Sequence, residues 1–169
     1  MDAKKRWINL VTIACFVFML LALGALFLPL VFAKTYAGER IDFFGYMAMF
    51  GGRVEQTLPS GVYSFSFEVN VPLLVLTQAF LLASVACLLS RTSYFNRVFA
   101  LVLTLGSVMG LCFVKAWIVS KSSLTGDGLG LGYGFVLSFV FATLAIALEI
   151  LLLVFAKTPK KSEGKTRKN

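Results

Sequence analysis

Four long apolar stretches constrain the fold of this chain more than any other feature of its sequence. The first two carry no charged residue and the last two carry one each, and the stretches run over 10–33, 71–90, 98–120 and 129–156. About 20 apolar residues in a helix cross the hydrocarbon core of a bilayer, whereas a strand of a membrane barrel needs only about ten residues of alternating polarity. The sequence therefore predicts an all-α membrane protein built as a four-transmembrane-helix bundle, with helices at about 8–33, 71–90, 97–120 and 131–156.

The overall composition excludes an ordinary soluble domain. Of the 169 residues, 59% are hydrophobic and 14% are charged. Soluble globular domains contain roughly 45–50% apolar and about 25% charged residues. Because a soluble fold of this length could not bury so much apolar surface, we expect one membrane domain over 1–156. The polar, basic tail over 157–169 has no apolar residue to anchor it and is expected to be disordered.

The basic residues predict the orientation of the helices, since lysine and arginine are enriched in cytoplasmic loops. With the N-terminus inside, eleven basic residues lie on the inner side, namely Lys4, Lys5, Arg6, Arg91, Arg97, Lys157, Lys160, Lys161, Lys165, Arg167 and Lys168. Four lie on the outer side, namely Lys34, Arg40, Arg53 and Lys121. Both termini are therefore expected in the cytoplasm. The net charge of +8 follows from this topology, and no nucleic-acid partner is expected.

Two further features indicate which membrane the chain occupies and whether its first apolar stretch is a signal peptide. The outer loops contain no cysteine and no Asn-X-Ser/Thr acceptor site, which favours a bacterial plasma membrane. The first apolar stretch follows basic residues, as the core of a signal peptide does. It is longer than the roughly 7–15 residues of such a core. We expect it to be retained as a helix, with cleavage as the alternative.

The predicted outer segment, 34–70, has the pattern of a small β element. Residues 63–71 alternate apolar and polar side chains, which is typical of a half-buried strand. The stretch 41–52 is either a second strand or a short helix on the membrane surface. Because a lone strand is not stable, we expect a small antiparallel sheet over the outer ends of the helices. The predicted contact surface of this element is formed by Phe43, Phe44, Tyr46, Tyr63, Phe65 and Phe67.

The layout of four helices, a long first outer segment, a short second one and cytoplasmic ends is similar to that of claudin-like tetraspan proteins. The first loop of that family carries a tryptophan, a Gly-Leu-Trp motif and two cysteines. In this chain Trp7, Trp117 and all three cysteines lie outside 34–70. The resemblance is one of layout and implies no function.

The residues that usually carry catalysis are scarce. The chain has no histidine, which removes the commonest general base and metal ligand. The three cysteines, Cys15, Cys87 and Cys112, lie in three different predicted helices and form no Cys-X-X-Cys pair. We therefore expect no catalytic residue, no metal and no cofactor.

Two ionisable side chains, Glu149 and Lys115, fall inside the predicted helices. A charge at mid-helix costs about 2.5–3.5 kcal/mol on insertion scales. Glu149 is expected in the inner half, at the depth of Thr12 and Thr104, as a packing hydrogen bond, a proton or cation site, or a contact with a partner's helix. Lys115 is expected in the outer half, where it either contacts Gln78 or extends to the interface. This difference in depth excludes an ion pair between Lys115 and Glu149.

Glycine occupies every second position from 126 to 134. The run lacks the third glycine of a dinucleotide-binding loop and the lysine of a phosphate-binding loop, and Asp127 is its only carboxylate. We expect Gly130, Gly132 and Gly134 to give the last helix a thin, closely packed start, with a flexible contact surface as the alternative. The spacing of Gly106 and Gly110 predicts a close helix contact, within the chain or to another subunit.

These features favour a non-catalytic integral membrane protein that works by associating with other membrane components, as a scaffold or accessory subunit. The expected partners are the lipid bilayer, another membrane protein or a second copy, and anionic headgroups at the basic tail. The alternative is a small transporter or channel subunit in which Glu149, Lys115 and Gln78 line a path. An intramembrane enzyme is the weakest hypothesis.

Overall fold

Six helices and five short strands make up the part of the chain that the structure, a computed structural model, describes: residues 3–124 and 129–155. In chain order they are α1 (Ala3–Ala25), β1 (Pro29–Lys34), β2 (Arg40–Phe44), α2 (Gly45–Phe50), β3 (Gly52–Leu58), β4 (Gly61–Phe67), α3 (Val71–Leu89), α4 (Tyr94–Leu111), α5 (Val114–Ser120), β5 (Leu129–Leu131) and α6 (Tyr133–Phe155). Helices α1, α3, α4 and α6 are long and apolar enough to cross a membrane. The prediction of four such helices is confirmed, while the strands show that the chain is not all-α.

Each of the four long helices packs mainly against two others. Helix α1 contacts α3 and α6, and α4 contacts the same two helices. Helices α1 and α6 are antiparallel, because Cys15 Sγ lies 3.9 Å from Ala145 O and Ser138 Oγ donates to Ala22 O at 2.7 Å. The packed faces carry small, fully buried residues, including Ala22, Ala83, Ala100, Ala142 and Ala145. Small side chains let apolar helices approach closely, which is how such helices gain contact in lipid.

The two ends of this helix packing differ. The strands and α2 cover one end, which we call the cap end, and together they form the cap. At the opposite open end α1 begins, α6 reaches Phe155, and α3 turns into α4. The side chain of Ser93 begins α4 by accepting a hydrogen bond from the backbone N–H of Asn96 (3.2 Å). A serine in this position satisfies one of the free N–H groups at a helix start.

The first helix ends at Ala25 rather than at the predicted residue 33. Pro29 begins strand β1, and proline has no backbone N–H and biases the residue before it toward extended backbone. Leu30 and Val31 of this strand are fully buried. An apolar run of this kind does not distinguish a buried strand from a helix, so the prediction extended the helix too far.

The predicted third helix, 97–120, is two helices, α4 and α5. The N–H of Cys112 donates to Met109 O and that of Phe113 donates to Gly110 O, both at 3.1 Å, so the chain makes a tight turn between them. Gly110 lies in the last turn of α4, directly before this break, and glycine is a weak helix former. The last helix starts at Tyr133 rather than 131, because the residues before it form strand β5.

The strands of the cap form two antiparallel sheets. In the first, β1 lies between β2 and β5, with Phe32 opposite Asp42 on one side and Gly130 on the other. The second is the hairpin of β3 and β4. The strand predicted at 63–71 occurs as Gly61–Phe67, and its partner is β3, which shares only Gly52 with the stretch 41–52. That stretch instead holds both predicted alternatives, strand β2 and the short helix α2.

An aromatic cluster holds the two sheets together. The ring of Phe43, on β2, lies 5.0 Å from the ring of Phe65 and 5.4 Å from that of Phe67, both on β4. Edge-on and tilted contacts of this kind add to the free energy gained from burial. The side chain of Asn70 then joins the cap to the helices: its Oδ1 accepts from the N–H of Leu73, and its Nδ2 donates to Trp117 O at 2.7 Å.

Candidate functional site

The carboxyl group of Glu149 is the centre of a buried polar cluster inside the helix packing. Glu149 lies on α6 and is 2% exposed. Its Oε1 accepts hydrogen bonds from Cys87 Sγ on α3, at 2.8 Å, and from Thr104 Oγ1 on α4, at 3.1 Å. One carboxyl oxygen therefore connects three of the four long helices.

The hydroxyl of Thr104 faces two acceptors with a single proton. It lies 3.0 Å from Ala100 O, one turn earlier in its own helix, and 3.1 Å from Glu149 Oε1. A hydroxyl has one hydrogen to donate and can accept as well. If the carboxyl carries a proton, Glu149 donates to Thr104 while Thr104 donates to Ala100 O. With a neutral carboxyl, the contacts of Thr104 Oγ1 with Ala100 O and with Glu149 Oε1 are therefore both hydrogen bonds.

Two buried polar atoms of this region have no hydrogen-bond partner among the described residues: Glu149 Oε2 and Thr12 Oγ1. Thr12 precedes Cys15 by one turn of α1, and Glu149 follows Ala145 by about one turn of α6. Because Cys15 contacts Ala145 and the two helices are antiparallel, Thr12 and Glu149 lie at the same level. The unpaired oxygens therefore belong to one layer of the α1–α6 interface.

No basic side chain forms an ion pair with this carboxyl in the described part of the chain. The three ion pairs found there are exposed ones at the cap end: Arg40–Asp42, Arg53–Glu55 and Lys121–Glu68. An unpaired charge in a buried site costs several kcal/mol. The enclosure of Glu149 and the count of protons around Thr104 both favour the neutral form. Chemically, the cluster can join helices by hydrogen bonds or exchange a proton.

The structure does not bring Lys115 or Gln78 to this cluster. Both side chains are exposed on the outside of their helices, α5 and α3. No hydrogen bond joins the two residues to each other within 3–124 and 129–155. Glu149, Thr104 and Thr12 lie inside the helix packing, so the five polar candidates divide into an inner group of three and an outer pair.

The glycines predicted to pack closely fall into two groups. A Cβ on Gly110 would lie 2.6 Å from Leu76 Cδ1, and one on Gly134 would lie 2.6 Å from Ala25 O. A Cβ on Gly130 would overlap the ring of Phe32, and one on Gly132 would overlap Pro29 O. Gly106 is exposed and has no atom within 4 Å of such a Cβ. Gly126, Asp127, Gly128 and the tail over 157–169 lie outside the described residues.

The aromatic residues predicted as a contact surface also divide. Phe43 and Phe67 are buried and Phe65 is half-buried, so these three form the interior of the cap and cannot receive a partner in this conformation. Tyr63 is half-buried on the same face of the hairpin. Phe44 and Tyr46 are exposed, and their rings lie 5.7 Å apart.

No protein-family model, curated protein or solved structure matches this chain. The residues themselves therefore carry every functional argument.

Sequence reasoning missed the contribution of Cys87 to the cluster. The sequence marks this cysteine only as one of three unpaired thiols, yet its Sγ makes the shortest contact to Glu149. The available signal was depth, since Cys87 lies near the open end of α3 as Glu149 does in α6. Arg97 was also missed as an interior residue: it is 9% exposed, and its Nε donates to Ser90 O at 3.0 Å.

A second polar feature lies at the cap end, where β4 meets the chain after α5. The shallow pocket has a volume of about 240 Å³ and is lined by Ser66, Glu68, Ser120, Lys121, Ser122 and Ser123. Lys121 Nζ lies 3.1 Å from Glu68 Oε2, so the two charges neutralise each other. Among the described residues, no group of three or more acidic or cysteine side chains could hold a metal ion.

Proposed function

We propose that this chain is a non-catalytic integral membrane protein that acts by associating with other membrane components, as a scaffold or accessory subunit. The outward position of Gln78 on α3 carries the proposal. Exposed apolar residues surround it along the same helix, with Val75 61% and Leu82 59% exposed. The amide therefore lies on a surface that is otherwise suited to lipid.

A primary amide has two donors and an acceptor that lipid cannot satisfy. Gln78 has no hydrogen bond to any other described residue, and it lies about two turns from the cap end of α3. Amides in such positions commonly hydrogen-bond to a neighbouring helix. A polar group on a helix of a partner is therefore the occupant that this surface favours.

The proposed setting is a bacterial plasma membrane, crossed four times, with both termini in the cytoplasm. The distribution of basic residues supports it. The open end carries Arg6 and Arg91 among its exposed residues, and in the sequence the basic tail comes directly after α6, which ends there. The cap then lies outside the cell, with fewer basic residues.

The proposal is tested by replacing Gln78 with leucine. The Gln78→Leu protein and the wild type are purified from native membranes in mild detergent, and the proteins that accompany each are quantified. A partner that depends on the amide is expected to fall at least several-fold in yield. Thr143→Val is the matched control, because Thr143 is exposed on α6 but donates to Phe139 O of its own helix at 2.7 Å. A wild type that is monomeric and partner-free contradicts the proposal.

A second candidate function, a small transporter or channel subunit, is favoured by one observation. Glu149 Oε2 and Thr12 Oγ1 are buried at one level without a partner among the described residues, as at a site that exchanges a proton. Lys115 and Gln78 are exposed and do not extend this site into a path. Proton flux into vesicles that contain the purified protein provides the test: Glu149→Gln should abolish it, and Thr143→Val should leave it unchanged.

A further inference from the structure

The outer edge of strand β3 has no partner strand within the described part of the chain. The hairpin sheet contains only β3 and β4. On the far side of β4, backbone bonds join Glu68 N to Lys121 O (2.7 Å) and Ser123 N to Ser66 O (3.0 Å). The far side of β3 receives no such bond from any described residue.

The hairpin register fixes which backbone groups of β3 face this open edge. Ser66 uses its backbone groups toward residue 123, away from β3, and it lies opposite Arg53. In an antiparallel pair, opposite residues direct their backbone groups either toward each other or both away. Arg53 therefore points its N–H and C=O outward, and the alternation along a strand makes Glu55 and Thr57 do the same. The edge offers three donors and three acceptors at regular spacing.

The charges on this edge favour pairing with an identical strand in one register. Arg53 and Glu55 project from the same exposed face of β3, and Arg53 Nε lies 3.2 Å from Glu55 Oε1. If two copies pair antiparallel about a two-fold axis at Val54, each Arg53 lies opposite the Glu55 of the other copy. An axis at Glu55 would instead place two carboxylates opposite each other, and an axis at Arg53 two guanidinium groups. Opposite charges across a strand pair stabilise it, and like charges destabilise it.

We propose that β3 pairs edge to edge with β3 of a second copy of this chain, antiparallel and centred on Val54, to form a four-stranded sheet. This inference deepens the proposed function, because it names the chain itself as one associating partner. A two-fold axis through such a sheet is perpendicular to it, so the inner faces of both hairpins lie on the same side. Phe65 and Val54 belong to that inner face, which packs on the core. Both sets of helices thus extend from one side of the sheet, as two copies in one bilayer require.

Disulfide formation tests the register. In the proposed pairing the two Val54 residues lie opposite each other without exchanging backbone hydrogen bonds. Residues in such a pair have Cα atoms about 4.5 Å apart, within the range that a disulfide spans. In a Cys112→Ser background, which removes the exposed native thiol, Val54→Cys is expected to give a covalent dimer on mild oxidation of native membranes. Glu55→Cys is the matched control and should give little dimer, since residue 55 faces residue 53 of the other copy. Efficient cross-linking through residue 55 and not 54 would overturn the register.

Charge reversal tests the pairing without cysteines. Arg53→Glu should weaken the detergent-solubilised dimer about tenfold, since both cross-strand pairs become repulsive, and Arg53→Glu/Glu55→Arg should restore it. Arg40→Glu is the control, because Arg40 makes a similar exposed ion pair with Asp42 on a different strand. A chain that stays monomeric in all forms overturns this inference, whereas the Gln78-dependent partners described above would still be recovered if the proposed function is correct.

Discussion

Cys87 Sγ lies 2.8 Å from Glu149 Oε1, and this contact joins helices that are far apart in the sequence. The thiol of Cys87 is a weak donor, and the carboxyl oxygen it reaches also contacts Thr104. The arrangement gives one oxygen of an isolated acidic group two hydrogen-bond contacts inside an apolar interior. The two residues therefore act as a junction between α3 and α6, with α4 as the third member.

Two replacements of Glu149 distinguish the contribution of a negative charge from that of the hydrogen bonds at this junction. If the carboxyl is neutral, Glu149→Gln keeps its size and one accepting oxygen, and the free energy of unfolding should change by less than about 1 kcal/mol. Glu149→Ala removes the acceptor and leaves a cavity, and it should cost about 2 kcal/mol or more. Unfolding titrations in detergent measure both. Equal losses for the two variants would show that the negative charge is required.

The glycines at the start of α6 provide a second prediction. A Cβ on Gly134 would lie 2.6 Å from Ala25 O and 2.9 Å from Pro29 O, and these backbone atoms cannot move aside easily. Gly134→Ala should therefore destabilise the fold by about 1–3 kcal/mol through overpacking. Gly106→Ala is the matched control, because the added Cβ meets no atom within 4 Å and alanine favours a helix more than glycine does. The comparison fails if Gly106→Ala is the more damaging change in thermal unfolding.

The sequence predicted the four long helices because their length and apolar composition leave few other structures in a bilayer. It also placed Glu149 and Thr104 at one depth, and the structure brings these two within hydrogen-bond distance. Depth was the one signal for the contact with Cys87, and it was not sufficient, because α3 is apolar on most of its surface and its sequence does not define which face turns inward. Strand β3 was missed for a related reason: Gln56 stands at an inward position between Val54 and Leu58 and interrupts the apolar alternation that marked β4.

The basic tail leads to a third prediction, which concerns lipid. Residues 157–169 contain six lysines or arginines and one acidic residue, Glu163. Each basic residue near an anionic surface contributes about 1 kcal/mol, an attraction that salt weakens. A peptide of this sequence should bind vesicles that contain an anionic lipid and not neutral ones, and it should dissociate as salt is raised. Equal binding to both vesicles would exclude a headgroup interaction of this kind.

Asn70 leads to the fourth prediction, because its one side chain serves two elements. It is 1% exposed, its Oδ1 accepts from the N–H of Leu73 at the start of α3, and its Nδ2 donates to Trp117 O in α5. Asn70→Ala removes the helix cap and leaves the carbonyl of Trp117 without this donor, so it should cost about 2–3 kcal/mol. Asn70→Asp separates the two roles, since a carboxylate can still cap the helix but cannot donate.

The control for this prediction lies at the other end of the same helix pair. Asn96 is half-buried, and its Nδ2 donates to Thr92 Oγ1 at 2.6 Å in an exposed contact that water can replace. Asn96→Ala should therefore change the midpoint of thermal unfolding much less than Asn70→Ala. An intermediate loss for Asn70→Asp would assign separate contributions to the cap and to the bond with α5. If Asn70→Ala caused a loss as small as that of Asn96→Ala, the cap would be held to the helices by apolar packing alone.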